Sequence, residues 1–464
     1  MAAKLPPRPP GGRWFTGHIG EFSRDRLGFM VRTAREHGDV TGFRIGPHSV
    51  YLVSHPDSIE EVLLEKSRHF IKHFALRLNP EILGKGLLTS EGNFWLRQRR
   101  LIQPAFVRSR LAAYGPAMVA ATERVLSEWA PGELRDVASE MARITLDIAA
   151  KTLFDADAHE SAGEVQSALK YMLDSYLVRF NRFLLPVPPW LPTPRNVAVR
   201  RARLRLDKII YGYISQRRQS GEDKGDLLSI LLHARDEDDG KGMTDRQVRD
   251  EAMTLFLAGH ETTALTLSWT WYLLATNPAA EQRLVAELRQ VLNGRTPTPA
   301  DLPRLRYAEA VVSESMRLRP PIYAFGREAI DDCEIGGFHV PKKTTILMSQ
   351  WVVQRDPRWW SDPEVFDPTR WLDDRAQRVP KYAYFPFGGG PRLCIGNTFA
   401  MMETVLVLAT IAQRFRFTIA EGRLVVPQAT FTLRPLHGVP AVITPRARTE
   451  QVPIVSLRHL PQAS

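Results

Sequence analysis

Apolar residues recur at three- and four-residue intervals from Trp95 to about Asn293, whereas strict alternation is confined to short runs near the two ends. Residues 24–37 predict a helix. Residues 40–45 and 49–53 alternate around Gly46-Pro47-His48 and predict a hairpin, and His55-Pro56 introduces a further helix over 57–65. The longest helical pattern starts at Thr244, where Gln247 completes a capping box, and runs to Ala275 before Asn277-Pro278. At the usual rise it spans roughly 45 Å, enough to cross a whole domain. Its apolar stretch 255–274 could mimic a membrane span, but His260 and Glu261 interrupt it and favour a helix buried in protein. Strands return after Pro321 and near the end, at 416–420, 430–433 and 441–444. The acidic run 236–240 and the segment 184–194 read as loops, and no internal repeat is present. The pattern predicts a mainly α chain with a small β-rich lobe.

Composition adds limits. The 464 residues are 44% hydrophobic and 24% charged, ample for a large core. The two cysteines, Cys333 and Cys394, make no disulfide framework and suit a reducing compartment. The net charge is +11, with arginines clustered at 97–110 and 195–205. Zinc spacing, helix-turn-helix and RNP signatures are all missing, which argues against nucleic acid. An acidic protein partner or a plain solvated face remain as readings of that charge. No N-terminal apolar run is long enough to span a bilayer or form a signal peptide, so the Pro-rich start reads as an extended arm and the chain as soluble.

The most specific chemistry lies at 387–396, Phe-Gly-Gly-Gly-Pro-Arg-Leu-Cys-Ile-Gly. The run 397–415 that follows predicts a buried helix through Phe399, Met402, Val405, Leu406 and Ile411. Cys394 would then stand at a helix N-terminus, where free N–H groups and the dipole stabilise negative charge. That setting favours a thiolate, the form of sulfur that ligates metal. A cysteine judged alone is more often an inert core residue.

The spacing Phe-x-x-Gly-x-Arg-x-Cys-x-Gly, complete here, resembles the haem-binding loop of the cytochromes P450, the haem-thiolate monooxygenases. Further motifs of that family lie upstream in the expected order, and the resemblance covers nearly the whole chain. It implies one domain over 1–464 with the arm at 1–20, a long central helix over a buried haem b, and Cys394 as the iron ligand. Phe387, Gly388, Arg392 and Gly396 would border the cofactor. Trp95-x-x-x-Arg99 fits the family helix whose side chains reach a haem propionate, with Arg392 and Arg327 completing the cradle. Ala258-Gly-His-Glu-Thr-Thr resembles the oxygen-activation motif, so Thr262 would hydrogen-bond dioxygen and Glu261 relay protons; His260 is given no role. Glu314-x-x-Arg317 and the later Arg370 would form a buried ion triad with a structural role.

By the same transfer, the substrate pocket would be lined by Leu87, Leu88, Leu255, Ala258, Ile322, Ala324, Phe325 and Phe431, all apolar. The implied reaction is hydroxylation or epoxidation of a hydrophobic small molecule, a fatty acid or a terpenoid. Dioxygen would be the co-substrate, with electrons from NAD(P)H through a separate ferredoxin or flavodoxin and a reductase. The basic face, including Arg97 and Arg100, would dock the donor, and the location would be cytoplasmic. A haem-thiolate peroxygenase or isomerase, or a haem protein without catalysis, is the alternative; the Glu261-Thr262 pair argues against both. The apolar loop 183–191 could rim an access channel, touch a membrane surface or simply pack.

Overall fold

The computed structural model describes residues 4–77, 83–155, 191–373 and 375–446. The expected apolar loop falls, at 183–190, outside the described residues.

Helices dominate, as the periodicity requires. The expected helix over 24–37 is two helices, Ile19–Arg24 and Arg26–His37, because Asp25 leaves the helical conformation and its side chain accepts from the Gly28 N–H at 2.9 Å. Helix Pro56–Glu60, capped by His55, passes into a π-helical turn at Glu61–Glu65. The longest helix, Asp245–Thr276, has its capping box formed: Thr244 N–H donates to Gln247 Oε1 at 2.8 Å and Gln247 N–H to Thr244 Oγ1 at 3.3 Å. It is buried on nearly every face, packed by Val137–Phe154, Pro194–Ser220, Arg306–Leu318 and Asn397–Ala412. His260 faces the first of these, with Nε2 3.1 Å from the Ala142 carbonyl. This accounts for a histidine inside an apolar helix without any chemistry.

The strands are short. β1 (Val40–Ile45) and β2 (His48–Val53) form the expected antiparallel hairpin. β3 (Phe70–Lys72) lies far from them in its sheet, and β4 (Leu134–Asp136) belongs to another. After Pro321 come β5 (Phe325–Ala329), the hairpin β6 (Cys333–Ile335) and β7 (Phe338–Val340), and β8 (Thr345–Met348). The main sheet has the order β1-β2-β8-β5-β3, with β2 and β8 parallel and the other neighbours antiparallel. β12 (Pro440–Pro445) lies between β4 and β9 (Phe415–Ile419) and pairs antiparallel with both, while β10 (Pro427–Ala429) and β11 (Leu433–Pro435) make a hairpin. The strand expected at 430–433 is mostly the turn of that hairpin, with only Leu433 inside β11. Three apolar clusters hold the fold: a helical one around Trp269, Val311 and Leu406, a second around Leu206, Val248 and Leu228, and a third beneath the main sheet around Val53, Ile346 and Phe385.

Candidate active site

A cavity of about 520 Å³ lies between the central helix, the main sheet and the loop that precedes helix Asn397–Ala412. Cys394 lines it. The loop is held by Cys394 N–H donating to the Phe387 carbonyl at 3.0 Å and Gly388 N–H donating to that of Phe385 at 3.0 Å. Gly390 sits at φ 61° with the Leu63 carbonyl where a Cβ would stand, so a side chain there would push the loop off its support. Cys394 is open to the cavity and otherwise enclosed by protein, away from bulk solvent.

The thiolate expected from the helix terminus is only partly supported by the chain itself. Burial pushes the Cys394 thiol up; the Gly396 N–H and the Arg99 charge oppose this without overcoming it. One N–H dipole and one guanidinium charge do not replace the solvation a thiolate loses, so full ionisation belongs with a bound cation. Both cysteines are free thiols.

One rim of the cavity is cationic. Lys72, Arg99, Arg327 and Arg392 all line it. Arg392 stacks on Trp95, its Cζ 3.7 Å from the ring centroid, and is ion-paired with Glu91. Arg99 Nη1 donates to the Leu393 carbonyl at 3.0 Å and so ties helix Gly92–Ile102 to the cysteine loop. Burial lowers Arg327 to about 10, with Arg392 adding to the effect, and lowers Lys72 to about 7. Lys72 is thus only partly charged, and the positive charge of this rim is carried by Arg99, Arg327 and Arg392 against Glu91, close to the Cys394 thiol, leaving a need for further anions. The donor set therefore fits a planar iron chelate that carries two carboxylates.

Across the cavity the central helix contributes Leu255, Ala258, Gly259, Glu261, Thr262 and Thr263. Thr262 Oγ1 donates to the Ala258 carbonyl at 2.7 Å, one turn back. A Cβ on Gly259 would meet nothing within 4 Å. Glu261 is anchored from outside the helix: its Oε1 accepts from Thr432 Oγ1 at 2.9 Å and from Arg434 Nε at 2.8 Å. Leu87, Leu88, Ile322, Ala324, Phe325 and Phe431 complete the apolar wall, alongside Phe387, Gly388 and Gly396. The structure thus brings every residue expected at the cofactor or pocket to one cavity.

The expected triad lies outside it. Arg317 donates to Glu314 through Nε and Nη2, both at 2.9 Å, and Arg370 Nε donates to Glu314 Oε1 at 3.0 Å. Glu314 and Arg317 are fully buried. Trp371 is an unforeseen fourth member, donating from Nε1 to Glu314 Oε2 at 2.9 Å.

Several residues escaped sequence reasoning. Glu403 lines the cavity and is fully buried; burial pushes its carboxyl well up, against a hydrogen bond from Thr263. Its signal was a lone acid in the apolar run 399–412. Lys72, Glu91 and Arg434 carried none, since their partners are remote in sequence. Arg97 and Arg100, expected to dock an electron donor, are instead paired with the acidic loop: Arg100 Nη2 lies 2.6 Å from Asp238 Oδ2 and 3.3 Å from Asp236 Oδ2, and Arg97 Nη2 lies 3.4 Å from Asp239 Oδ1. A charge already neutralised attracts a partner weakly. Arg108 and Arg110 stay exposed. No helix among the described residues is long and apolar enough to cross a membrane.

The family model for cytochrome P450 matches residues 6–438. Cyclooctat-9-en-7-ol 5-monooxygenase of Streptomyces melanosporofaciens is 39% identical, with 89% of this chain and 90% of that protein covered. Pentalenene oxygenase of Streptomyces avermitilis is 36% identical over 91% of this chain and 94% of its own. Among solved structures, retinoic acid bound cyanobacterial CYP120A1 superposes with a TM-score of 0.86 at 26% identity, covering 96% of this chain and 100% of that one.

Proposed function

The chain belongs to the cytochrome P450 family, the haem-thiolate monooxygenases, and we propose that it oxidises a cyclic terpenoid with electrons from a separate redox partner. The observation that carries this reading is the shared cavity: the Cys394 thiol, the Glu261-Thr262 pair and an apolar wall line one space. Similarity to enzymes named for cyclooctat-9-en-7-ol and pentalenene favours a terpenoid over a fatty acid.

In this reading Cys394 ligates the iron, and Trp95, Arg99, Arg327 and Arg392 hold the propionates. When bound, the haem supplies the oxidation, placing one atom of dioxygen in the substrate and releasing the other as water. Thr262 presents a hydroxyl to the cavity, and the Glu261 carboxylate, one residue before it, passes protons inward from the Thr432-Arg434 side. The Leu87, Leu88, Leu255, Ala258, Ile322, Ala324, Phe325 and Phe431 side chains exclude water and hold the substrate by apolar contact. Glu314, Arg317 and Arg370 fix the chain leading to the cysteine loop by bonding the backbone of Ser361, Pro363, Val365 and Asp367.

The donor is a ferredoxin or flavodoxin reduced from NAD(P)H, and the exposed Arg108 and Arg110, in the stretch after helix Gly92–Ile102, suit an acidic partner. Free cysteines suit a cytoplasmic setting.

The test is reconstitution with a ferredoxin, its reductase and NADPH, offering cyclooctat-9-en-7-ol, pentalenene and palmitic acid. A hydroxylated terpenoid that requires both oxygen and reductant is the expected result. Product from palmitic acid alone would overturn the substrate class, and equal turnover with hydrogen peroxide and no reductase would overturn the electron route.

A further inference from the structure

Leu87 is gripped at both ends by buried titratable side chains. Its N–H donates to Glu251 Oε2 at 2.9 Å, and its carbonyl accepts from Lys72 Nζ at 2.5 Å. The same ammonium reaches the Ser90 carbonyl at 3.0 Å. Lys85 N–H donates to Asp250 Oδ2 at 2.9 Å, the carboxylate next to Glu251. Gly84 and Gly86 let this segment lie flat on the central helix: a Cβ on Gly84 would overlap the Asp250 carboxylate, and one on Gly86 the Thr254 hydroxyl.

Glu251 stands about three helical turns before Thr262. Leu87, Leu88 and Lys72 line the cavity, whereas Asp250 and Glu251 do not. Glu251 therefore acts on the site only through the backbone it holds. An apolar residue would pack at this depth without penalty, yet here a carboxyl group is buried, pushed up to about 8 and so protonated at neutral pH, with Oε1 lacking any hydrogen-bond partner among the described residues. What the carboxyl oxygen provides and a leucine could not is a fixed acceptor for the Leu87 N–H. Lys72 supplies the matching donor from β3.

We propose that Glu251 and Lys72 are positioning residues: together they clamp the Leu87 peptide between the central helix and β3, and so set where Leu87 and Leu88 stand over the reaction centre. The size and orientation of substrate that the cavity accepts then follow from the clamp. This rests on the haem-monooxygenase reading above.

The test uses the holoenzyme and two nitrogen ligands of haem iron, imidazole and phenylimidazole, titrated optically. Imidazole needs only the metal; the phenyl group must also fit beneath the Leu87-Leu88 wall. Glu251→Leu and Lys72→Met should each weaken phenylimidazole relative to imidazole by about fivefold or more, with Glu251→Gln, which keeps an acceptor oxygen, near the wild-type ratio. Gly86→Ala, which lifts the segment without changing a charge, should move the ratio the same way and decides the matter if Glu251→Leu fails to hold haem. An unchanged ratio in Lys72→Met and Gly86→Ala, or proportional weakening of both ligands, would overturn the clamp. Absence of any optical response to either ligand in the wild type would overturn the haem reading instead.

Discussion

Arg434 donates to Glu261 from Nε at 2.8 Å and so binds the C-terminal hairpin to the middle of the central helix, across 173 positions of sequence. The second residue of the pair is the acid assigned to proton delivery. Thr432 donates to the same oxygen at 2.9 Å. A carboxylate held in this way points in a fixed direction, and passing a proton requires it to loosen from Arg434.

Replacing Glu261 with Gln should lower product formation by about a hundredfold while leaving substrate-induced spectral change in place, because the amide keeps the shape but cannot carry the proton. Thr262→Ala removes the hydroxyl now bonded to the Ala258 carbonyl. It should raise peroxide released per NADPH consumed; unchanged coupling would remove Thr262 from its assigned role.

Cys394→Ser exchanges a polarisable sulfur for an oxygen at the cavity wall. The reduced carbon monoxide complex should lose its thiolate spectral signature, and turnover should disappear. A variant retaining that signature would mean that iron is held elsewhere.

The buried group around Glu314 should be costly to break. Arg370→Ala leaves Glu314 with an unpaired share of charge at a site without solvent, and a loss of about 3–5 kcal/mol is expected in chemical denaturation. Trp371→Phe deletes one charge-assisted hydrogen bond and should cost about 1.5–3 kcal/mol. Both losses should precede any change in the intrinsic spectrum of bound haem.

Glu251 makes a pH prediction with a definite sign. Burial raises its carboxyl from 4.5 to about 8, with Asp250 adding to the rise and the Leu87 N–H and Lys72 opposing it. The folded state therefore keeps a proton that the unfolded chain has released across that window, and this contribution to stability is lost as pH rises from 4.5 towards 8. Glu251→Gln has no proton to lose, so its stability relative to wild type should improve between those limits by an amount on the order of a few kcal/mol. Melting temperatures of the two proteins at pH values on either side of the window check the direction; parallel curves would contradict it.

Much of this protein is legible along the chain because the relevant partners are close in sequence. The capping box of Thr244 and Gln247 spans one turn, and the central helix begins there in the structure as expected. Glu314 and Arg317 are three apart on one helix, which fixes their contact before any tertiary fold exists. The loop carrying Cys394 is read from ten consecutive residues. The misjudged details have local causes that periodicity does not register, such as Asp25 capping a second helix and the turn inside 430–432.

The sequence by itself determined the mainly helical architecture, the cysteine loop and the family, since these follow from short-range spacing and residue type. Only the tertiary structure decided that Arg434 holds Glu261, that Lys72 and Glu251 grip Leu87, and that the acidic loop takes up Arg97 and Arg100. Each of those contacts joins side chains from separate elements. Their formation depends on how helices and strands pack, and a charge cannot select its partner until packing has removed the solvent between them.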